Sequence, residues 1–324
     1  MSAPKVSTDE FVNLFKKFGS VSLLANHLGV SYRATQQRRQ DIAARLGIEL
    51  DSWNDQRMPS QAKVLIAGAR IDKKIRNGRV IVFSDAHYIP GVSSTAHRGL
   101  LWAIKKFTPG DIVNNGDAFD GASISRHPRI GWDKKPSVME ELQAVKDRLD
   151  EIEAIKKGAG LTWLLGNHDA RYETYLAANA PQYEGVAGFR LKDHFPFWKP
   201  AWRFDINAET TSWTIIKHRG KGGVHAAHNN AVNAGSITMV TGHLHSLKVT
   251  PLTNARGTCW GVDTGTLADP EGPQFNDYTE DSAHLNWRSG FAMLTYKDGR
   301  LLTPELFRVV EEGVIEFRGE LIEV

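Results

Sequence analysis

Cysteine is almost absent from this sequence of 324 residues: Cys259 stands alone, so no disulfide can close within the chain. Long apolar runs are missing too. Stretches such as Val80–Phe83 and Leu161–Leu165 fall far short of the roughly 20 residues that cross a bilayer. The first ten residues, Met1–Glu10, contain no uncharged apolar segment of the kind that directs secretion. A membrane is therefore not an expected partner, and a reducing cytoplasm is the expected compartment. A strong net charge is also lacking. The formal value of +3 identifies no partner by itself, and no internal repeat or low-complexity tract is present.

With 41% apolar residues the chain can bury one large core and still form a small second domain. Its charge is unevenly spread. Residues 1–79 hold 14 Lys and Arg against 7 Asp and Glu, which leaves 26 against 30 for the remainder. A basic front and a mildly acidic body suit attraction to nucleic acid phosphates at the N-terminal end, although a solvated charged face has the same composition.

Phe11, Leu14, Phe15 and Phe18 recur at spacings of three and four, which predicts an amphipathic helix over 8–18. A second helix is expected from Ser20 to His27. After the turn Leu28-Gly29-Val30-Ser31, a third starts at the Ser31 cap and reaches Leu46, where Gly47 stops it. Three short helices with a glycine turn between the last two resemble the helix-turn-helix domains of phage and bacterial DNA-binding proteins. The resemblance covers about forty residues of a domain over 1–50 and suggests a bacterial or phage-encoded protein, the alternative being a small helical domain that serves contacts within the protein or an oligomer. It implies that the third helix enters the major groove, with Arg33, Gln36, Arg38 and Arg39 contacting DNA. Residues 51–78 are mixed and polar and read as a linker or an adaptor helix.

From Val80 the pattern changes to short apolar strands alternating with helices, the mark of a layered α/β domain over 79–324. The clearest helix is expected over Ser137–Lys157, with a capping box from Ser137 and Glu140 and one apolar face. Just after successive apolar runs come five polar clusters: Asp85-Ala86-His87, Gly116-Asp117-Ala118-Phe119-Asp120, Gly166-Asn167-His168-Asp169, His218, and Gly242-His243-Leu244-His245. Ligands gather at the carboxyl ends of strands in such sheets, so the five clusters should share one rim. Asp, His and Asn without a cysteine pattern suit manganese, iron, zinc or nickel bound through oxygen and imidazole, manganese first.

In order and spacing these clusters resemble the calcineurin-like metallophosphoesterase family over about residues 80–270. The resemblance implies a four-layer α/β/β/α sandwich and two divalent ions. It implies that Asp85, His87 and His245 hold the first ion, Asp117 bridges both, and Asn167, His218 and His243 hold the second. His168 would protonate the leaving oxygen, with Asp120 and Asp169 orienting the histidines. The His218 position departs from the family, which often has His-Gly where this chain has His218-Arg219-Gly220, and His225 and His228 are nearby rivals. Arg171 and Lys221 are candidates for contact with a substrate phosphate. So are Arg126 and His127, in a basic loop that contains Trp132. The expected function is hydrolysis of phosphate esters on DNA by a metal-activated water. Two alternatives stand beside it: a phosphomonoesterase with a recruiting N-terminal domain, and a DNA-binding regulator with an inactive phosphoesterase domain.

Overall fold

The computed structural model describes residues 6–18, 20–48, 50, 70–126, 132, 134–255, 257–278 and 286–324. Two compact units make up the chain, Met1–Ala67 and Gly68–Val324.

Among the described residues of the first unit three helices form, α1 (Thr8–Phe18), α2 (Val21–Leu28) and α3 (Tyr32–Leu46). Their ends follow local chemistry. Ser20 and Ser31 accept the N–H groups of Leu23 and Ala34, and Gly29 and Gly47 close α2 and α3 in the left-handed conformation that glycine adopts most easily. Phe11 and Phe15 pack with Leu24, Leu28 and Ile42 in a small core. This packing also engages two of the arginines of α3. The Arg38 guanidinium lies 4.8 Å from the centre of the Phe11 ring and donates to the Val6 carbonyl, and Arg39 lies 5.7 Å from that of Phe15. Both arginines are thus turned onto α1 rather than displayed. Gln36 is half-buried and Arg33 exposed.

The second unit is built on two sheets. The larger, with nine strands among the described residues, runs β15 (Glu320–Glu323), β14 (Val314–Phe317), β13 (Glu305–Glu311), β11 (Gly290–Lys297), β2 (Gly78–Phe83), β3 (Asp111–Asn114), β4 (Gly160–Leu164) and β5 (Lys199–Ala201), with β12 (Arg300–Leu301) paired to β11. The smaller runs β1 (Arg70–Lys73), β6 (Arg203–Ile206), β7 (Thr214–Ile216), β8 (Thr238–Thr241), β10 (Gly257–Asp263) and β9 (Lys248–Asn254). Strand β1 falls within the stretch 51–78 expected as a linker, yet it pairs in parallel with β6 along the edge of this sheet. The rest of that stretch up to residue 69 lies outside the described residues.

Side-chain alternation along β2 shows why the layers stack. Val80 and Val82 face the core between the sheets, where they meet Phe204, Ile216, Val240 and Val262. Ile81 and Phe83 face the opposite way, into a core shared with α4 (Thr95–Phe107) and α5 (Val138–Ile155). On the outer side of the smaller sheet, Ile215 and Met239 pack against Ala231 of α7 (Ala226–Asn233). The order is therefore helix, sheet, sheet, helix. Helix α5 carries the full capping box between Ser137 and Glu140.

Candidate metal centre

Strands β2, β3 and β4 are parallel neighbours in the large sheet, and β7 and β8 are parallel neighbours in the small one. Their carboxyl ends open onto one rim. Two of the loops there run as a ribbon: Asp85, His87 and Tyr88 donate their backbone N–H groups to the carbonyls of Gly116, Asp117 and Ala118 at 2.8, 3.0 and 3.0 Å.

Two groups of ligand-type atoms result, Asp85 with His87 and His245, and Asp117 with His218 and His243. Within each, the atoms lie within 4.8 Å of one another. Asp85 Oδ1 is 3.1 Å from His245 Nε2, and Asp85 Oδ2 accepts the His243 backbone N–H at 2.8 Å. Asp117 Oδ2 is 3.0 Å from His218 Nε2, without hydrogen-bond geometry, while the other His218 nitrogen donates to the Asn115 carbonyl at 2.7 Å. The rivals His225 and His228 lie apart from both groups, along a different cavity with Val224 and Lys248.

Whether these residues fit a cation can be asked of their unsatisfied atoms. His87 Nε2, Asn167 Oδ1, His218 Nε2 and His245 Nδ1 are all buried without a hydrogen-bond partner. A buried polar atom left unpaired costs about 1–3 kcal/mol. Four such atoms on the candidate ligands, with two carboxylates beside them, make a donor set suited to divalent metal ions.

The backbone is bent to serve this arrangement. Asp85, His87, Asp117, His243 and His245 have φ of 53°, 39°, 56°, 73° and 56°, a left-handed region that residues other than glycine seldom enter. The leading glycines have a different reason. A Cβ on Gly116 would come within 2.5 Å of His218 Nδ1, one on Gly166 within 2.0 Å of Asp117 Oδ1, and one on Gly242 within 2.6 Å of Asp85 Oδ2. Three of the five clusters begin with a glycine against which a neighbouring cluster's side chain sits.

A third group, His87, Asp120 and His168, is knitted by its own hydrogen bonds. Asp120 Oδ1 accepts from Nδ1 of His87 at 2.9 Å and from Nδ1 of His168 at 2.6 Å, and the two rings meet edge to face at 4.7 Å. Asp120 therefore positions both histidines. Asp169, expected to do the same, does something else. Its carboxylate accepts the backbone N–H groups of Asp117, Phe119 and Gly166 and the Trp163 indole N–H at 2.8–3.1 Å. It holds the loops rather than a histidine. Arg171 donates to the Asp120 carbonyl at 2.9 Å and lies 3.3 Å from His168 Nε2, so it backs the imidazole.

Electrostatics follow from this crowding. Burial raises the Asp85 carboxyl, but the charges of His245 and His218 outweigh it and bring the pKa to about 2. Asp117 is likewise held well below its ordinary range, against burial, by His218 and His168. Burial lowers His218, and Asp117 and Asp85 raise it further, to about 10. His243 falls to about 4 through burial and the His218 charge. His168 is raised, against burial, by Asp117 and Asp120. Asp169 goes up to about 6 because it is buried and close to Asp117.

Three features escaped sequence reading. Phe275 lies 5.2 Å from the His87 ring and 5.3 Å from that of His245, and Trp287 lies 4.6 Å from His245. Glu141 on α5, fully buried, accepts the Ala122 N–H at 3.0 Å just beyond Asp120. No motif marks any of them. Among the expected substrate contacts, Lys221 is exposed next to the His218 loop, Arg126 is exposed, and His127 lies outside the described residues. Also among the described residues, no helix is long and apolar enough to cross a membrane.

No protein-family model and no curated protein matches the chain. Solved structures do match in shape. Vacuolar protein sorting 29 of Cryptosporidium parvum aligns at 12% identity and a TM-score of 0.41, over 76% of this chain and 100% of that one. Vps29 of Entamoeba histolytica, complexed with zinc, aligns at 12% identity and 0.40, over 76% and 98%. Yfce, a phosphoesterase from E. coli, aligns at 16% identity and 0.35, over 70% and 97%. Likenesses this distant carry no chemistry, which rests on the side chains themselves.

Proposed function

We propose that the chain is a phosphoesterase using two divalent metal ions, manganese in the first instance, with DNA as its substrate. The observation that carries this reading is the pair of ligand groups at one rim, Asp85, His87 and His245 beside Asp117, His218 and His243, with unpaired nitrogens on three of the histidines. Asn167 would join the second group and Asp117 would be shared. Ions bound there would draw charge from the phosphoryl oxygens and lower the pKa of a water.

The protein's own groups complete the chemistry. His168, held through Nδ1 by the Asp120 carboxylate, would give the proton of its other nitrogen, Nε2, to the leaving oxygen once Arg171, 3.3 Å from Nε2, turns to the phosphate. Asp120 keeps the His87 and His168 rings in register, and Asp169 keeps the loop that presents Asp117 in place. DNA as substrate is supported by the basic front of the chain and by the capped helices α2 and α3 with Gly29 between them, read as a helix-turn-helix that holds the duplex.

The test is hydrolysis by manganese-loaded protein of bis-p-nitrophenyl phosphate and of end-labelled single- and double-stranded DNA, with Asp117→Asn beside it and metal content measured on both. Strand cleavage lost in Asp117→Asn supports the proposal. Release of terminal phosphate alone would make the protein a phosphomonoesterase, and a metal-loaded protein without turnover would leave a DNA-binding regulator.

A further inference from the structure

Beyond the metal centre, the segment that follows β7 has a second face. His218 points inward to Asp117, while Lys217 and Arg219, its neighbours in sequence, line an open cleft of about 520 Å³ together with Arg203, Trp213, Lys221 and Asn230. Among the described residues no carboxylate lines this cleft. Arg203 is paired with Asp205 through two hydrogen bonds of 2.5 and 2.7 Å, a carboxylate it shares with Arg70. The side chains of Lys217, Arg219 and Lys221 have no ion pair among the described residues, so three positive charges face the cleft uncompensated.

The loop that displays them is built rather than loose. Asn230, buried on α7, accepts the Lys221 N–H at 2.8 Å and donates to the Lys221 carbonyl at 3.1 Å. A Cβ on Gly220 would come within 2.4 Å of the same amide, so this close approach needs a glycine. At the other end, the Lys217 N–H pairs with the Val240 carbonyl at 3.1 Å and the His218 carbonyl accepts the Gly242 N–H at 3.0 Å.

Chain geometry sets the reach. Lys221 is three residues past His218, which is at most about 11 Å of extended backbone, and phosphates recur about every 3.4 Å of axis along a strand. We propose that Lys217, Arg219 and Lys221 form an anion subsite that receives the phosphates flanking the scissile one in a single nucleic acid strand. The inference rests on the phosphoesterase reading of the rim and names the substrate class that this rim takes. An isolated phosphomonoester has nothing to place there.

The test measures binding of fluorescein-labelled dT12 to the metal-stripped full chain across a salt series, for the wild type and for Lys217→Ser with Arg219→Ser and Lys221→Ser. The expected result is a tenfold or greater loss of affinity at low salt, with a salt slope smaller by roughly 2, the value for three contacts to single-stranded phosphates. The N-terminal unit is the same in both proteins, so a change between them reports the cleft. Unchanged affinity and slope would overturn the proposal.

Two further arms keep it decidable. If the triple variant does not fold, Arg219→Glu alone, at an exposed side chain, should give the same direction of change. Asn230→Ala keeps all three charges but frees the loop, and should weaken binding too; full affinity there would mean that the built loop has no part. Hydrolysis of bis-p-nitrophenyl phosphate by the manganese-loaded wild type is run separately. No turnover together with lost dT12 binding in the variant sinks the enzyme and leaves the three residues as a strand-binding site without a scissile phosphate. Turnover with unchanged dT12 binding sinks the subsite alone.

Discussion

Gly166 and Asp117 interlock: a Cβ at residue 166 would stand 2.0 Å from the Asp117 carboxylate oxygen that accepts the His168 N–H. The Gly166 backbone is not left-handed, so the conflict is one of volume and not of conformation. Gly166→Ala should push Asp117 aside and weaken metal binding by about 10–100-fold. Gly110→Ala is the matched control, since its added carbon meets nothing nearer than 4.0 Å. Metal titrations of the two variants check this, and equal affinity would remove Asp117 from the ligand set.

His168→Asn should lower turnover of a phosphodiester by about 10²–10⁴-fold, the usual contribution of a positioned acid. Metal content should stay that of the wild type, because His168 belongs to the group held together by Asp120 and not to either ligand group around Asp85 or Asp117. Elemental analysis beside kinetics separates the two roles. A variant lacking one ion would make His168 a ligand.

Glu141 gives a pH dependence that does not involve the ligands. Burial lifts its carboxyl from 4.5 to about 8. The folded protein therefore keeps a proton that the unfolded chain releases, so this group's contribution to stability is whole below pH 4.5 and is lost as pH rises to 8. Each unit of pKa difference corresponds to about 1.4 kcal/mol. Glu141→Gln retains an oxygen for the Ala122 N–H and removes the charge. Its melting temperature should match the wild type near pH 4.5 and exceed it at pH 8. Parallel melting curves across that range would show that Glu141 ionises freely.

Arg38 and Arg33 should differ. Arg38→Ala removes the contact with Phe11 and the bond to the Val6 carbonyl, and should destabilise the helical unit by about 1 kcal/mol. Arg33→Ala, at an exposed position, should leave that unit's unfolding unchanged while weakening binding to duplex DNA. Thermal unfolding and a salt series on duplex DNA measure the pair. Equal DNA affinity in Arg33→Ala would count against α3 as the reading helix.

Local chemistry made most of the fold legible. Helices α1 and α3 have the bounds expected from their apolar spacing and caps, and the polar clusters follow strands that run parallel within each sheet, β2 to β4 in one and β7 with β8 in the other. What remained hidden depends on partners distant in sequence. Strand β1, Arg-Ile-Asp-Lys, alternates no apolar residues and forms only because β6 offers it an edge. Asp169 looks like any carboxylate beside a histidine; its backbone partners belong to loops up to 52 residues away. Arg38 looks like a base-reading residue until Phe11 is packed beneath it.

Five candidate ligands with left-handed backbones set durability against chemistry at the same positions. Each such residue costs of the order of 1–3 kcal/mol that glycine would not. A population of variants selected only for survival of heat would accumulate glycines at 85, 87, 117, 243 and 245, and would emerge tougher and inert. The metal-free chain is accordingly the less settled form, and loading it with ions should recover in binding what those five bends withhold from folding.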